Sequence, residues 1–170
     1  MSIDPIRTRA GWLTMRPEAA DGADEAFLFS LFASTKLPEM ALMPLDRAGK
    51  EQLLRLQYRS MGATYHATYP RARFDIVMLN EQPVGRLITD VTSDRVLYVD
   101  IALLPEVRGG GVATALMTAV LEEPRRLGLP GRVKVLGHNG ASLRLCEKVG
   151  FTVVGQEPPF VELEWRPPAR

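Results

Sequence analysis

Apolar positions along the chain change their period repeatedly, and each change marks an element. GWLTMR, residues 11–16, predicts a short strand ended by Pro17. Beyond it Phe27, Leu28, Leu31 and Phe32 recur at the spacing of a buried helical face, with Asp21 or Asp24 as the capping residue. A connector with Pro38 and Pro44 leads to a second helix over residues 48–69. Its apolar positions are Leu53, Leu54, Leu56, Tyr58, Met61 and Tyr65, and Pro70 stops it.

The period then drops to two. RFDIVML and QPVGRLITDV flank the turn-like pair Asn80-Glu81 and predict a hairpin. RVLYVDIALL, residues 95–104, predicts a longer strand with Leu97, Val99, Ile101 and Leu103 on one face and Tyr98, Asp100, Ala102 and Leu104 on the other. A helix over residues 109–127 follows, broken by Gly128 and Pro130. RVKVLGH reads as a strand, NGASLRLCEKV as a helix, and GFTVVGQ and PFVELEWR as two last strands. In the last, Phe160, Glu162 and Glu164 alternate with Val161, Leu163 and Trp165. Strand–helix–strand steps demand parallel neighbours and hairpins antiparallel ones. The expectation is an α/β mixed sheet of about seven strands with helices on both faces.

Composition narrows the function without naming it. The 170 residues are 46% hydrophobic and 24% charged, which suits one domain spanning residues 1–170, with 164–170 as a frayed tail. Twenty-one Lys and Arg against 20 Asp and Glu leave a net charge of +1, so no basic surplus argues for nucleic acid as partner. The single cysteine excludes an intrachain disulfide, and with two histidines it leaves little for a metal site. A reducing, cytoplasmic setting follows. The N-terminus lacks a signal-like apolar core and no run approaches 18 apolar residues, so neither export nor membrane insertion is expected.

LLPEVRGGGVATALM, residues 103–117, breaks the pattern. Three glycines at a helix start cost about 2–3 kcal/mol together, and Arg108 faces the positive end of the helix dipole. An anion resolves both oddities, because bare backbone N–H groups approach it closely and Arg108 becomes its partner. A loop whose glycines only satisfy awkward dihedrals is the alternative. A P-loop is excluded, since the only Gly-Lys pair, Gly49-Lys50, is followed by Glu51. A dinucleotide fingerprint starting at Gly109 puts Thr114 where a third Gly or Ala belongs.

The pattern that fits is Arg/Gln-x-x-Gly-x-Gly/Ala, met by Arg108, Gly111 and Ala113 after LLPEV. Downstream, HNGASLRLCEKVGF matches Asn-x-x-Ala-x-x-Leu-Tyr-x-Lys-x-Gly-Phe at Asn139, Leu145, Lys148, Gly150 and Phe151. On these two motifs the sequence resembles the GNAT superfamily of acyl-CoA-dependent N-acetyltransferases, over about residues 84–160. It is also similar to a bacterial subgroup with a YP-x-A-x-F step and a DIALLPE strand. The resemblance implies a GNAT fold with a splayed parallel strand pair ending near Leu104 and His138 and acetyl-CoA between the strands, released as CoA. Pantetheine would pair with backbone at Ile101, Ala102, Leu103 and Leu104. The pyrophosphate would sit on the amides of Gly109, Gly110, Gly111, Val112, Ala113 and Thr114, beside Arg108. Asn139, Ser142 and Lys148 would complete the cofactor site.

Transfer to an amine needs a base for the ammonium proton and an acid for the departing thiolate. Asp100, a carboxylate inside an otherwise apolar strand, is the candidate base; pairing with Arg86 or Arg95 is the alternative. The resemblance puts a tyrosine acid where this chain has Cys146, which is shorter and equally suited to packing. Tyr65, His66 and Tyr69 are candidate acceptor-cleft residues. The expected activity is acetyl transfer to a small-molecule or protein amine, with a homodimer as the candidate assembly. A GNAT-fold acyl-CoA sensor or scaffold without turnover is the competing expectation, suggested by the missing tyrosine.

Overall fold

A computed structural model describes residues 3–168. Strands β1 (Ile6–Arg7) and β2 (Trp12–Pro17) precede helices α1 (Glu25–Ala41) and α2 (Arg47–Thr68). Then come β3 (Arg73–Leu79), β4 (Gln82–Val91) and β5 (Val96–Leu103), a 3₁₀ turn (Pro105–Val107), and helices α3 (Val112–Val120) and α4 (Glu122–Leu127). The chain continues through β6 (Gly131–Leu136), α5 (Gly140–Lys148), β7 (Thr152–Glu157) and β8 (Phe160–Trp165). The strands form one sheet in the order β1-β2-β3-β4-β5-β6-β8-β7. Its β5–β6 pair is parallel and its other pairs antiparallel. The mixed sheet matches expectation with one strand more, because a two-residue β1 is too short to show a period.

Alternation assigns the two faces. Leu13, Met15, Val77, Leu87, Val96, Tyr98, Leu163 and Trp165 form the main core with α3 and α5. Their neighbours Ile76 and Ile88, on the opposite face, are fully buried too. That second face lies under α1, which packs on β4 and β5. Phe32, Met40 and Leu54 join α1 to α2.

Four local expectations change. Helix α1 runs through Pro38 to Ala41, because Met40 is buried against Phe32 and Leu54 and holds the last turn despite the missing N–H. Asp24 occupies the α1 N-cap position but makes no side-chain cap. Its carboxylate instead accepts from both Arg16 Nη atoms, at 2.8 and 2.6 Å, and from the Ala19 amide at 2.9 Å. A bidentate ion pair outweighs a neutral capping bond. Glu164 and Trp165, expected in a frayed tail, are paired with Arg132 and Gly131 in the sheet; residues 169 and 170 lie outside the described residues. The expected single helix over 109–127 begins at Val112 and divides at Leu121. Pro124 has no N–H for the Val120 carbonyl four residues back, and the Tyr98 hydroxyl donates to that carbonyl at 2.8 Å instead.

The alternation predicted for β5 also fails along its length. Ile88 pairs with Asp100 but Thr89 pairs with Tyr98, so Val99 is an extra residue, a β-bulge. Before the bulge Val96 and Tyr98 face the main core; after it Ile101 and Leu103 do. Asp100 and Ala102 are thereby turned to the α1/α2 face.

Candidate active site

The site begins where β5 and β6 part. They pair only at Val96↔Gly131, Leu97↔Arg132 and Tyr98↔Val133. Beyond Tyr98, β5 follows β4 as far as Leu103↔Gly85, while β6 follows β8 as far as Leu136↔Phe160. Among the described residues, the edge of β5 facing β6 from 99 to 103 has no strand partner. An extended, amide-bearing ligand can add to such an edge as a further strand. Gly85 keeps β5 close to β4: a Cβ there would meet the Ala102 carbonyl oxygen and Leu103 Cδ2, each at 2.5 Å.

At the end of β5 the three glycines have two different purposes. Gly109 and Gly111 both have φ of +79°, and a Cβ on either would meet nothing within 4 Å. They are glycines for backbone conformation, and they front open space. Gly110 differs: its Cβ would stand 2.9 Å from the Ala10 Cβ, so packing against the β1–β2 turn forbids a side chain. The first hydrogen bond of α3 runs from the Ala115 amide to the Gly111 carbonyl at 3.0 Å. The amides of Gly109, Gly110, Gly111, Val112, Ala113 and Thr114 lie in the turn over residues 108–111 and the opening turn of α3, the end of a helix where N–H groups have no intrahelical acceptor. Arg108 beside them is exposed and, among the described residues, without an ion-pair partner. N–H groups at a glycine-rich helix start, a cation and open space fit a diphosphate.

Across the opening, Asn139 caps α5, its Oδ1 accepting from the Ser142 amide at 3.1 Å. These two stand at the end of α5 that follows β6. Lys148 is at the other end, about 13 Å along the axis, and exposed.

On the α1/α2 face the structure brings Asp100, Arg86 and Tyr65 together. Arg86 donates from Nε and Nη2 to Asp100 Oδ2, at 3.0 and 2.6 Å. Arg86 Cζ lies 5.7 Å from the Tyr65 ring centre. Burial, then the Asp100 charge, pushes the Tyr65 hydroxyl up to about 12. Tyr69 acts on the same hydroxyl electrostatically, whereas His66 is drawn off to β3, stacked on Phe74 at 4.4 Å. Of the two expected partners for Asp100, Arg86 is the one used.

Sequence reading misses Glu18, a half-buried carboxylate that burial holds above its usual range and that feels Arg86 and His66. Its amide donates to the Phe74 carbonyl at 2.9 Å, Phe74 pairs with Ile88, and Ile88 with Asp100, so these residues form one row across the sheet. Only strand register reveals that row.

Cys146 faces the main core. It is 3% exposed within the main core, and burial pushes its thiol up to about 11. At pH 8 the thiol stays protonated. Iodoacetamide is therefore expected to label Cys146 slowly in the native protein and rapidly in denaturant. Cys146→Ala is expected to cost about 1–2 kcal/mol of stability while turnover stays within about twofold. Fast native labelling or a hundredfold loss of rate would return the thiol to the chemistry.

The acetyltransferase (GNAT) family model matches residues 42–151. The fold is similar to PaiA N-acetyltransferase from Thermoplasma acidophilum in complex with coenzyme A, at TM-score 0.68 and 14% identity over 91% of this chain and 98% of that one. It is similar to Mycobacterium smegmatis RimJ in complex with CoA-disulfide, at TM-score 0.69 and 17% identity over 98% and 87%. RimL, a ribosomal L7/L12 alpha-N-protein acetyltransferase in complex with coenzyme A, superposes at TM-score 0.67 and 15% identity over 98% of each chain. No curated protein matches the sequence. With a family match over more than half its length, the chain belongs to the acetyltransferase (GNAT) family, whose cofactor is acetyl-CoA.

Proposed function

We propose that this protein is an N-acetyltransferase that moves the acetyl group of acetyl-CoA to a primary amine of a small molecule or a protein. One observation carries the reading: β5 joins a free strand edge and, on its continuation, an open glycine loop to a carboxylate on the α1/α2 face. The free edge at Ile101, Ala102, Leu103 and Leu104 holds pantetheine. The amides of 109–114 and Arg108 hold the pyrophosphate, Asn139 and Ser142 face the cofactor from the start of α5, and Lys148 reaches it from the far end of that helix.

When bound, acetyl-CoA supplies a thioester-activated acetyl carbon. The amine nitrogen bonds to that carbon, the C–S bond breaks, and CoA leaves as the thiol. Asp100 attracts the acceptor ammonium and takes its proton, directly or through water. Arg86 orients the Asp100 carboxylate, and Tyr65 and Tyr69 line the acceptor side, with His66 stacked on Phe74 next to them. With Cys146 in the core, water protonates the leaving thiolate. That RimL is an alpha-N-protein acetyltransferase supports a protein N-terminus as one acceptor class. The single cysteine suits a cytoplasmic enzyme.

A second reading, an acyl-CoA-binding sensor without turnover, is favoured by one observation: the side chain at position 146 is a buried thiol. Measuring thiol release from acetyl-CoA over a panel of amines and N-terminal peptides separates the two. Amine-dependent release is expected. CoA binding with no release on any acceptor would overturn the enzyme reading.

A further inference from the structure

The β1–β2 turn is pinned to the glycine loop. Thr8 and Gly11 close it, the Thr8 amide donating to the Gly11 carbonyl at 2.8 Å, with Arg9 and Ala10 at the tip. The Thr8 hydroxyl also donates to the Gly11 carbonyl, at 2.8 Å, and accepts from the Ala10 and Gly11 amides, each at 3.1 Å. Asn80, at the tip of the β3–β4 hairpin, clamps it from outside. Its Oδ1 accepts from the Trp12 amide at 2.9 Å, and its Nδ2 donates to the Ala10 carbonyl at 3.3 Å. A Cβ on Gly11 would meet Asn80 Nδ2 at 2.2 Å, so the glycine is required for the clamp.

The clamped tip lies against Gly110, with Ala10 Cα 3.9 Å from the Gly110 Cβ position. Consecutive Cα atoms are 3.8 Å apart, which brings the Arg9 Cα to within about 8 Å of that position. Two other arginines share this end of the sheet. Arg7 is committed, its Cζ 5.7 Å over the Trp12 ring. Arg108 is exposed on the loop itself. Arg9 is exposed and, among the described residues, has no ion-pair partner.

The geometry points to Arg9 as a second cationic contact for the phosphates of coenzyme A, delivered to the glycine loop by the β1–β2 turn. It rests on the reading of residues 109–114 as the pyrophosphate cradle. Backbone amides and Arg108 offset only part of the charge of a pyrophosphate and a 3′-phosphate, and a guanidinium on a turn whose backbone is already pinned meets the remainder without ordering that backbone. Arg9 belongs to neither GNAT motif in this chain.

Calorimetric titration with CoA and with dephospho-CoA tests this on the intact protein. Arg9→Ala and Arg9→Gln are expected to weaken CoA binding about three- to tenfold at low salt, and less at high salt. Arg9→Lys retains most of the affinity, and Arg7→Ala binds as the wild type does. A loss confined to CoA assigns the contact to the 3′-phosphate, and an equal loss with dephospho-CoA to the pyrophosphate; either sustains the proposal. Wild-type affinity in both Arg9→Ala and Arg9→Gln would overturn it. Gly111→Asp separates this from the underlying reading: if that variant loses CoA while Arg9→Ala does not, only the role of Arg9 fails.

Discussion

Gly111→Asp is expected to abolish coenzyme A binding in a protein that still folds. Position 111 is the N-cap of α3, with φ of +79° and open space where a Cβ would project. An aspartate tolerates this conformation better than most residues, at a cost of about 1–2 kcal/mol. Its carboxylate can cap the bare α3 amides, which returns about 1 kcal/mol. The variant therefore places its own anion where the pyrophosphate would lie. Like charges in contact cost several kcal/mol, equivalent to a loss of about a hundredfold or more in affinity. Gly111→Ala, which adds strain but no charge, should lose far less. Calorimetry on the folded Asp variant with CoA affinity unchanged would remove residues 109–114 as the phosphate site.

Asp100→Asn is expected to lower turnover by about two orders of magnitude while CoA affinity stays at the wild-type value. The ion pair with Arg86 complicates the single variant, because it leaves an 8% exposed guanidinium without its carboxylate, and stability falls with it. An apolar replacement of both partners, Arg86→Met with Asp100→Leu, separates the two effects. Well-packed apolar substitutes for a buried pair commonly restore stability. If Asp100 handles the acceptor ammonium, the double variant regains thermal stability but not turnover. If the carboxylate only neutralises Arg86, turnover returns together with stability, and Asp100 is structural.

Much of this site follows from local chemistry in the chain. The period of Leu53, Leu54, Tyr58 and Met61 marks α2. The Asn80-Glu81 turn, with φ of 49° and 65°, joins β3 to β4 between two alternating runs. The Arg108–Ala113 motif identifies a bare helix start because glycine is the residue that reaches left-handed φ without strain. The break between α3 and α4 was available too: Pro124 lies four residues after Val120, so that carbonyl had to find a donor outside the helix. What the sequence could not supply was the donor, Tyr98.

Other features depend on which distant segments the folded sheet sets side by side. The extra residue at Val99 turns Asp100 and Ala102 to the α1/α2 face, reversing the alternation that RVLYVDIALL predicts. No propensity encodes that bulge; it appears only when β5 is paired with β4. Arg16 takes the Asp24 carboxylate away from its cap, and Cys146 enters the core at a position the family motif gives to a tyrosine. Glu18 feels the Arg86 charge across β2, β3 and β4, and Ala10 explains a glycine at position 110. Periodicity, φ requirements and missing N–H groups act between near neighbours and are legible one residue at a time. Ion pairs, bulges and close contacts require two parts of the chain in register, and that register is a property of the assembled sheet.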